Sequence, residues 1–140
     1  ENYSHIKYST EDYIAVCATS HHFTKELHTI HDLISEHLLV REEGSGTRNI
    51  LEQSLIAHGL HISNFTHYTQ VENMHTIMNL LKKDCGISFL YKIAVEKELK
   101  SKELKEITLD DFKLQHDFDI IWQKESIYAN KYLSISEEFI

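Results

Sequence analysis

Short apolar runs alternate with amphipathic stretches along this chain. Tyr13-Ile14-Ala15-Val16-Cys17-Ala18 is continuous and partly β-branched, the pattern of a strand covered on both faces. Leu38-Leu39-Val40 is a second such run. Glu42 to Ser45 then form a polar turn, with Gly44 and Gly46 supplying backbone freedom. Ser45 or Thr47 can N-cap a helix in which Ile50, Leu51, Leu55 and Ile56 share one face, and Gly59 ends it. Residues 62–71 read as a strand carrying Phe65, Tyr68 and Val71. Asn73 can cap the next helix, whose apolar face is Met74, Ile77, Met78 and Leu81. Residues 85–90 return to a buried strand, 93–99 to a short helix and 104–108 to a short strand. Residues 118–122 form a further buried strand, and 134–140 are helical in pattern. The alternation predicts an α/β fold with a largely parallel sheet.

Ligands of such sheets sit at the carboxyl ends of strands, where helix starts offer free N–H groups. Two junctions fit: Gly44-Ser45-Gly46-Thr47 and Val71-Glu72-Asn73. Each aims backbone donors and the positive end of a helix dipole outward, which suits an anionic or strongly polar small molecule. Capping a helix calls for the same residue types, so the pattern alone leaves both roles open.

Composition narrows the class. The chain has 140 residues, 41% hydrophobic and 26% charged, which fits one globular unit rather than collagen, a coiled coil or a disordered segment. Apolar runs stay far below the roughly 18 residues that a membrane span needs. Lys and Arg number 14 against 22 Asp and Glu, a formal charge of −8. That balance argues against a surface built to grip nucleic-acid phosphates. Cys17 and Cys85 are too few for a disulfide framework, and both lie in apolar company that predicts small buried thiols in a reducing, cytoplasmic setting.

Eleven histidines raise a metal-responsive alternative through His21-His22, His28-x2-His31 and His58-x2-His61, yet no cysteine joins them at ligand spacing. An enzyme is a further alternative. No nucleophile motif such as GxSxG is present, and a thiol buried in a strand is deactivated rather than activated. The reading is therefore binding without turnover, with no metal and no cofactor.

The junctions carry a family likeness. The segment Leu39-Val40-Arg41-Glu42-Glu43-Gly44-Ser45-Gly46-Thr47-Arg48 resembles the "REpGSGTR" stretch of LysR-type transcriptional regulators. Upstream, the run ending at Ala18 and the following His21-His22-Phe23 resemble their strand leading into "HPLA", with His22 in place of proline. Ile30-His31-Asp32-Leu33 resembles their short helix ending in Asp-Leu. Downstream, Val71-Glu72-Asn73 and Cys85-Gly86-Ile87-Ser88-Phe89-Leu90 resemble the family's helix followed by "GxGIaflP", with Asp84 at its first glycine and Tyr91 at its proline. Ala94 to Leu99, the strand through Trp122 and Ser136 to Ile140 resemble the closing segments. The likeness spans essentially the whole chain in order and spacing.

The resemblance implies a periplasmic-binding-protein type II-like fold with subdomain II complete and subdomain I partial. Residues 19–115 would form subdomain II, and 1–18 with 116–140 the returning part of subdomain I. The first residue is Glu1 rather than Met, which reads as a fragment, and the resemblance implies a chain without the winged helix-turn-helix DNA reader, which would contact DNA elsewhere in the regulator. A small-molecule effector would bind between subdomains, touching Ser45, Gly46, Thr47, Val71 and Asn73, with Thr19 at the crossover. The family also implies a cytoplasmic homodimer with no membrane partner, its contact near the helix from Thr47 to His58.

Overall fold

The computed structural model describes residues 3–112 and 114–123, and the surroundings of side chains 11–112. Its spine is β1 (Tyr3–Ala18), which changes partner along its length. From Tyr3 to Tyr13 it pairs antiparallel with β6 (Leu114–Gln123). From Tyr13 to Val16 it pairs antiparallel with β4 (Ser88–Tyr91), and from Ala15 to Ala18 with β5 (Leu104–Ile107). Tyr13 is thus paired on both edges, with Tyr91 and with Leu114.

Beside β4 lie β2 (His37–Val40) and β3 (His67–Gln70), which are parallel to each other. A parallel bridge from Leu38 to Ile87, with Leu39 N–H donating to the Ile87 carbonyl at 2.8 Å, joins them to the rest. In space the strands run β3, β2, β4, β1, β5. Helix α1 (Gly46–Ala57) connects β2 to β3, α2 (Met74–Lys82) connects β3 to β4, and α3 (Lys92–Lys100) connects β4 to β5. These three crossovers make β2, β3, β4 and β5 co-directional, and only β1 runs against them. The expected largely parallel sheet is corrected to a mixed one, because the strand in the middle enters reversed and every pairing it makes is antiparallel.

From Tyr13 to Ala18 both faces of β1 are covered, as the continuous apolar run requires. Tyr13, Ala15 and Cys17 pack with Leu51 and Leu55 of α1 and with Ile30 and Leu33. Ile14 and Val16 pack with Ile77 and Leu81 of α2 and Val95 of α3. Gly59 (φ 74°) closes α1. Its N–H donates to the Ile56 carbonyl and Leu60 N–H to Leu55, both of which are last-turn acceptors. Gly86 is required for a different reason: a Cβ there would lie 2.6 Å from the His37 carbonyl oxygen.

Three local expectations are revised. Residues 62–71 are not one strand. Ile62–Asn64 is a one-turn 3-10 helix and only 67–70 are extended, because Ile62 and Phe65, three apart, both turn into the core. Ile56 is 51% exposed rather than part of the packed face of α1. Cys85 is exposed, since the strand begins at Ser88 and Cys85 still belongs to the turn closing α2. Residues 13–18 form the central strand of the same core as 30–112. The strand expected at 118–122 lies within β6, and the helix expected at 134–140 falls outside the described residues. Among the described residues no helix is long and apolar enough to cross a membrane.

Candidate functional site

The carboxyl ends of β2 and β3 are neighbours, and each opens directly into a helix. Val71 N–H donates to the Val40 carbonyl at 2.7 Å, holding the two ends together. From there the chain diverges: α1 buries Leu51 and Leu55 on one face of the sheet, while α2 buries Ile77 and Leu81 on the other. Adjacent parallel strands whose helices leave to opposite faces set two helix N-termini, with their free N–H groups, side by side at one end of the sheet.

At the first start, Gly44 adopts φ 90° and Ser45 caps α1, its hydroxyl accepting from Arg48 N–H at 3.1 Å. Ser45 and Gly46 are half-buried. At the second, the Asn73 side-chain oxygen accepts from Thr76 N–H at 3.2 Å, and Asn73 is exposed. Thr47 is only 2% exposed, and its carbonyl accepts from the Tyr13 hydroxyl at 3.1 Å. Val71 is buried against Ile77 and Leu81, so its side chain faces the core. The structure thus brings five of the six expected contact residues to one edge of the sheet.

Thr19 is the exception. It follows the last residue of β1, donating from its hydroxyl to the Lys102 carbonyl at 2.6 Å and from its N–H to Glu103 at 3.2 Å. In the β1–β4 register Tyr13 lies opposite Tyr91, the carboxyl end of β4, and Val16 opposite Ser88, its start. Thr19 therefore lies at the end of the sheet away from both helix starts. The partner change on β1 occurs at Tyr13 instead.

A recess of about 190 Å³, counting its open mouth, lies under the first turn of α1 and is lined by Tyr13, Arg41, Thr47, Arg48, Ser88 and Phe89 among others. Arg48 organises it. Its Nη1 donates to the Arg41 carbonyl at 3.0 Å and to Oε1 of Gln70 at 3.2 Å. Glu52 and Glu43 lie 3.5 and 3.8 Å from its other nitrogens. Arg41 donates to Glu42 at 3.0 Å, and hydrogen bonding from the backbone N–H of Glu42, then from Arg41, holds the Glu42 carboxyl below its usual range. Complete burial pushes the Tyr13 phenol well above its ordinary value, so it stays a neutral donor to Thr47. Ser88 donates to the Leu39 carbonyl at 2.8 Å.

Nothing in the sequence pattern marks Tyr13 or Ser88 as site residues. One signal pointed to Arg48: a cation in the first turn of a helix opposes the dipole and needs compensation elsewhere. His21 places Nδ1 2.6 Å from Asp84 and Nε2 2.7 Å from Glu36, while His58 faces two carbonyls. Among the described residues no three His, Cys, Asp or Glu side chains gather to hold a metal ion.

The family model for the LysR substrate-binding domain matches residues 2–130. The chain belongs to the LysR substrate-binding domain family. A relative, the HTH-type transcriptional regulator CbbR of Rhodospirillum rubrum, is 29% identical over 109 residues, covering 77% of this chain and 35% of CbbR. The LysR-domain chain thus spans about a third of that regulator. Among solved structures it is similar to the Synechocystis PCC6803 CcmR regulatory domain in complex with 2-PG (TM-score 0.65, 20% identity, 93% of this chain and 64% of that one). It is also similar to the effector-binding domain of QuiR in complex with shikimate (0.63, 16%, 96% and 68%). The regulatory domain of the N. meningitidis LysR-family regulator MetR matches too (0.63, 19%, 96% and 64%). These neighbours establish the periplasmic-binding-protein type II-like α/β fold of this LysR domain. Its relatives are transcriptional regulators rather than enzymes.

Proposed function

We propose that the chain is the sensing part of a LysR-type transcriptional regulator, binding a small polar or anionic effector without transforming it. The observation that carries this is the pair of helix starts: α1 and α2 begin side by side at the ends of β2 and β3 and depart to opposite faces. Ser45, Gly46 and Asn73 supply polar contacts there, with Thr47 and Val71 shaping the wall beneath them. Support comes from two neighbours of the same fold, solved with 2-PG and with shikimate.

In this reading the core from Tyr13 to Phe112 is subdomain II, redrawn from 19–115 on the partner change of β1. The part of β1 before Tyr13 and β6 run toward subdomain I, and the effector sits between the two. Occupancy changes their relative placement and, through it, DNA binding by a winged helix-turn-helix elsewhere in a cytoplasmic, homodimeric regulator. Calorimetry on the intact regulator with a panel of small carboxylates and phosphates, 2-PG and shikimate included, tests the reading. A bound compound should alter operator binding and lose affinity at least fivefold in Ser45→Ala or Asn73→Ala. A compound that controls operator binding with full affinity in both variants places the effector elsewhere.

A further inference from the structure

His58 ends α1 in an unusual environment. Its Nδ1 lies 2.8 Å from the Ser54 carbonyl and its Nε2 2.9 Å from the Asp111 carbonyl. A carbonyl oxygen only accepts, so both ring nitrogens must carry protons, and an imidazole with two N–H groups is the cation. We propose that protonated His58 is a latch that ties the far end of α1 to the segment leading into β6, so that rising pH loosens this junction.

The surroundings favour the charge. Ser54 is on the last turn of α1, where the helix presents the negative end of its dipole. The Asp111 carboxylate lies 3.9 Å from Nε2 and is itself held by Ile30 N–H at 2.9 Å. On the side of residues 28–33, His28 faces Asp110 at 3.6 Å, while Arg48 and Glu52 on α1 pair with each other at 3.5 Å. The Phe112 ring lies beside the imidazole, tilted at 36° with a centroid distance of 6.3 Å. These carbonyls, with Asp111, raise the affinity of His58 for its proton above the ordinary value.

The location gives the latch its consequence. The candidate effector contacts lie at the start of α1, a rigid rod of 12 residues and about 18 Å. His58 anchors the other end, one residue from Gly59 and across from Asp111, just before β6 returns to pair with Tyr13. Folding with a raised affinity for a proton stabilises most below the unfolded imidazole value of about 6.5 and loses that stability as pH climbs through the folded value.

Two measurements on the 140-residue chain decide the matter. Side-chain 15N spectra at pH 6 should show His58 with both nitrogens protonated, and a neutral tautomer there overturns the proposal. Urea midpoints of wild type and His58→Gln should differ clearly at pH 6 and converge by pH 9. A gap that is constant across this range means packing alone, and the latch is refuted. The spectra need only wild-type protein, so the proposal remains testable if the variant does not fold.

Discussion

Arg48 in the first turn of α1 donates to Gln70 at the end of β3, and by the same nitrogen to the Arg41 carbonyl at the end of β2. One guanidinium therefore joins both strands that open into the candidate crevice, and it does so while only 8% exposed. A cation placed against the positive end of a helix and removed from water is stabilised only by such partners.

Replacing Arg48 by Met keeps the aliphatic stem and removes the donors. The Gln70 and Arg41 oxygens lose their partner, and Glu52 and Glu43 lose their counter-charge. We expect a loss of about 2–3 kcal/mol, read as a lower urea midpoint with an unchanged slope. Gln70→Leu should cost less, about 1 kcal/mol, since Arg48 retains the Arg41 carbonyl.

The two helix caps predict smaller effects. Ser45→Ala and Asn73→Ala each remove an acceptor from a first-turn N–H, worth about 1 kcal/mol. Because the sites belong to different helices, the double variant should lose close to the sum. Chemical unfolding of the single and double variants provides the check. An excess over additivity would show that the two starts are energetically coupled.

Much of this arrangement was legible in the sequence, for identifiable reasons. Tyr13 to Ala18 announced a strand covered on both faces because every position is apolar, and Gly44-Ser45 with Gly59 marked both ends of α1 by backbone need alone. Strand direction is not written in an apolar run, so the reversal of β1, and with it the mixed sheet, was hidden. Ile62 and Phe65 read as strand positions because β-branched and aromatic residues favour strands, while their spacing of three suits the single helical turn they form. Thr19 stands apart from the other five residues, since the chain position of a crossover does not reveal which end of the sheet it occupies.

Gly86→Ala tests the seam between β2 and β4. The added methyl would meet the His37 carbonyl at 2.6 Å and the Leu39 Cγ at 3.1 Å. Backbone at that distance cannot swing aside as a side chain would. We expect a loss of roughly 1–3 kcal/mol, with faster amide exchange at Ile87, whose N–H donates to His37.

The thiols should separate kinetically. Cys17 is fully buried, and burial pushes its thiol up to about 11, leaving almost no thiolate at neutral pH. Cys85 is exposed in the turn after α2. Under native conditions iodoacetamide should label Cys85 alone, and Cys17 only upon unfolding. Mapping the labelled peptides by mass spectrometry gives the result directly, and equal rates would contradict the packing of β1.

Acid stability depends on a carboxylate that fastens a loop. The Asp32 side chain accepts from His28 N–H at 2.8 Å and from Thr29 N–H at 2.9 Å. These backbone donors, Thr29 foremost, with Lys25 nearby, lower its carboxyl from 3.8 to about 2. A folded value below the unfolded one means that the folded state binds its proton later. The stabilisation is complete above the unfolded value of 3.8 and is lost as pH falls through about 2. Asp32→Asn removes this dependence, because the amide oxygen still accepts but never titrates. Unfolding midpoints should therefore fall more steeply for wild type than for Asp32→Asn between pH 4 and 2. Parallel curves would mean that the loop is held by the packing of Ile30 and Leu33, without help from the Asp32 charge.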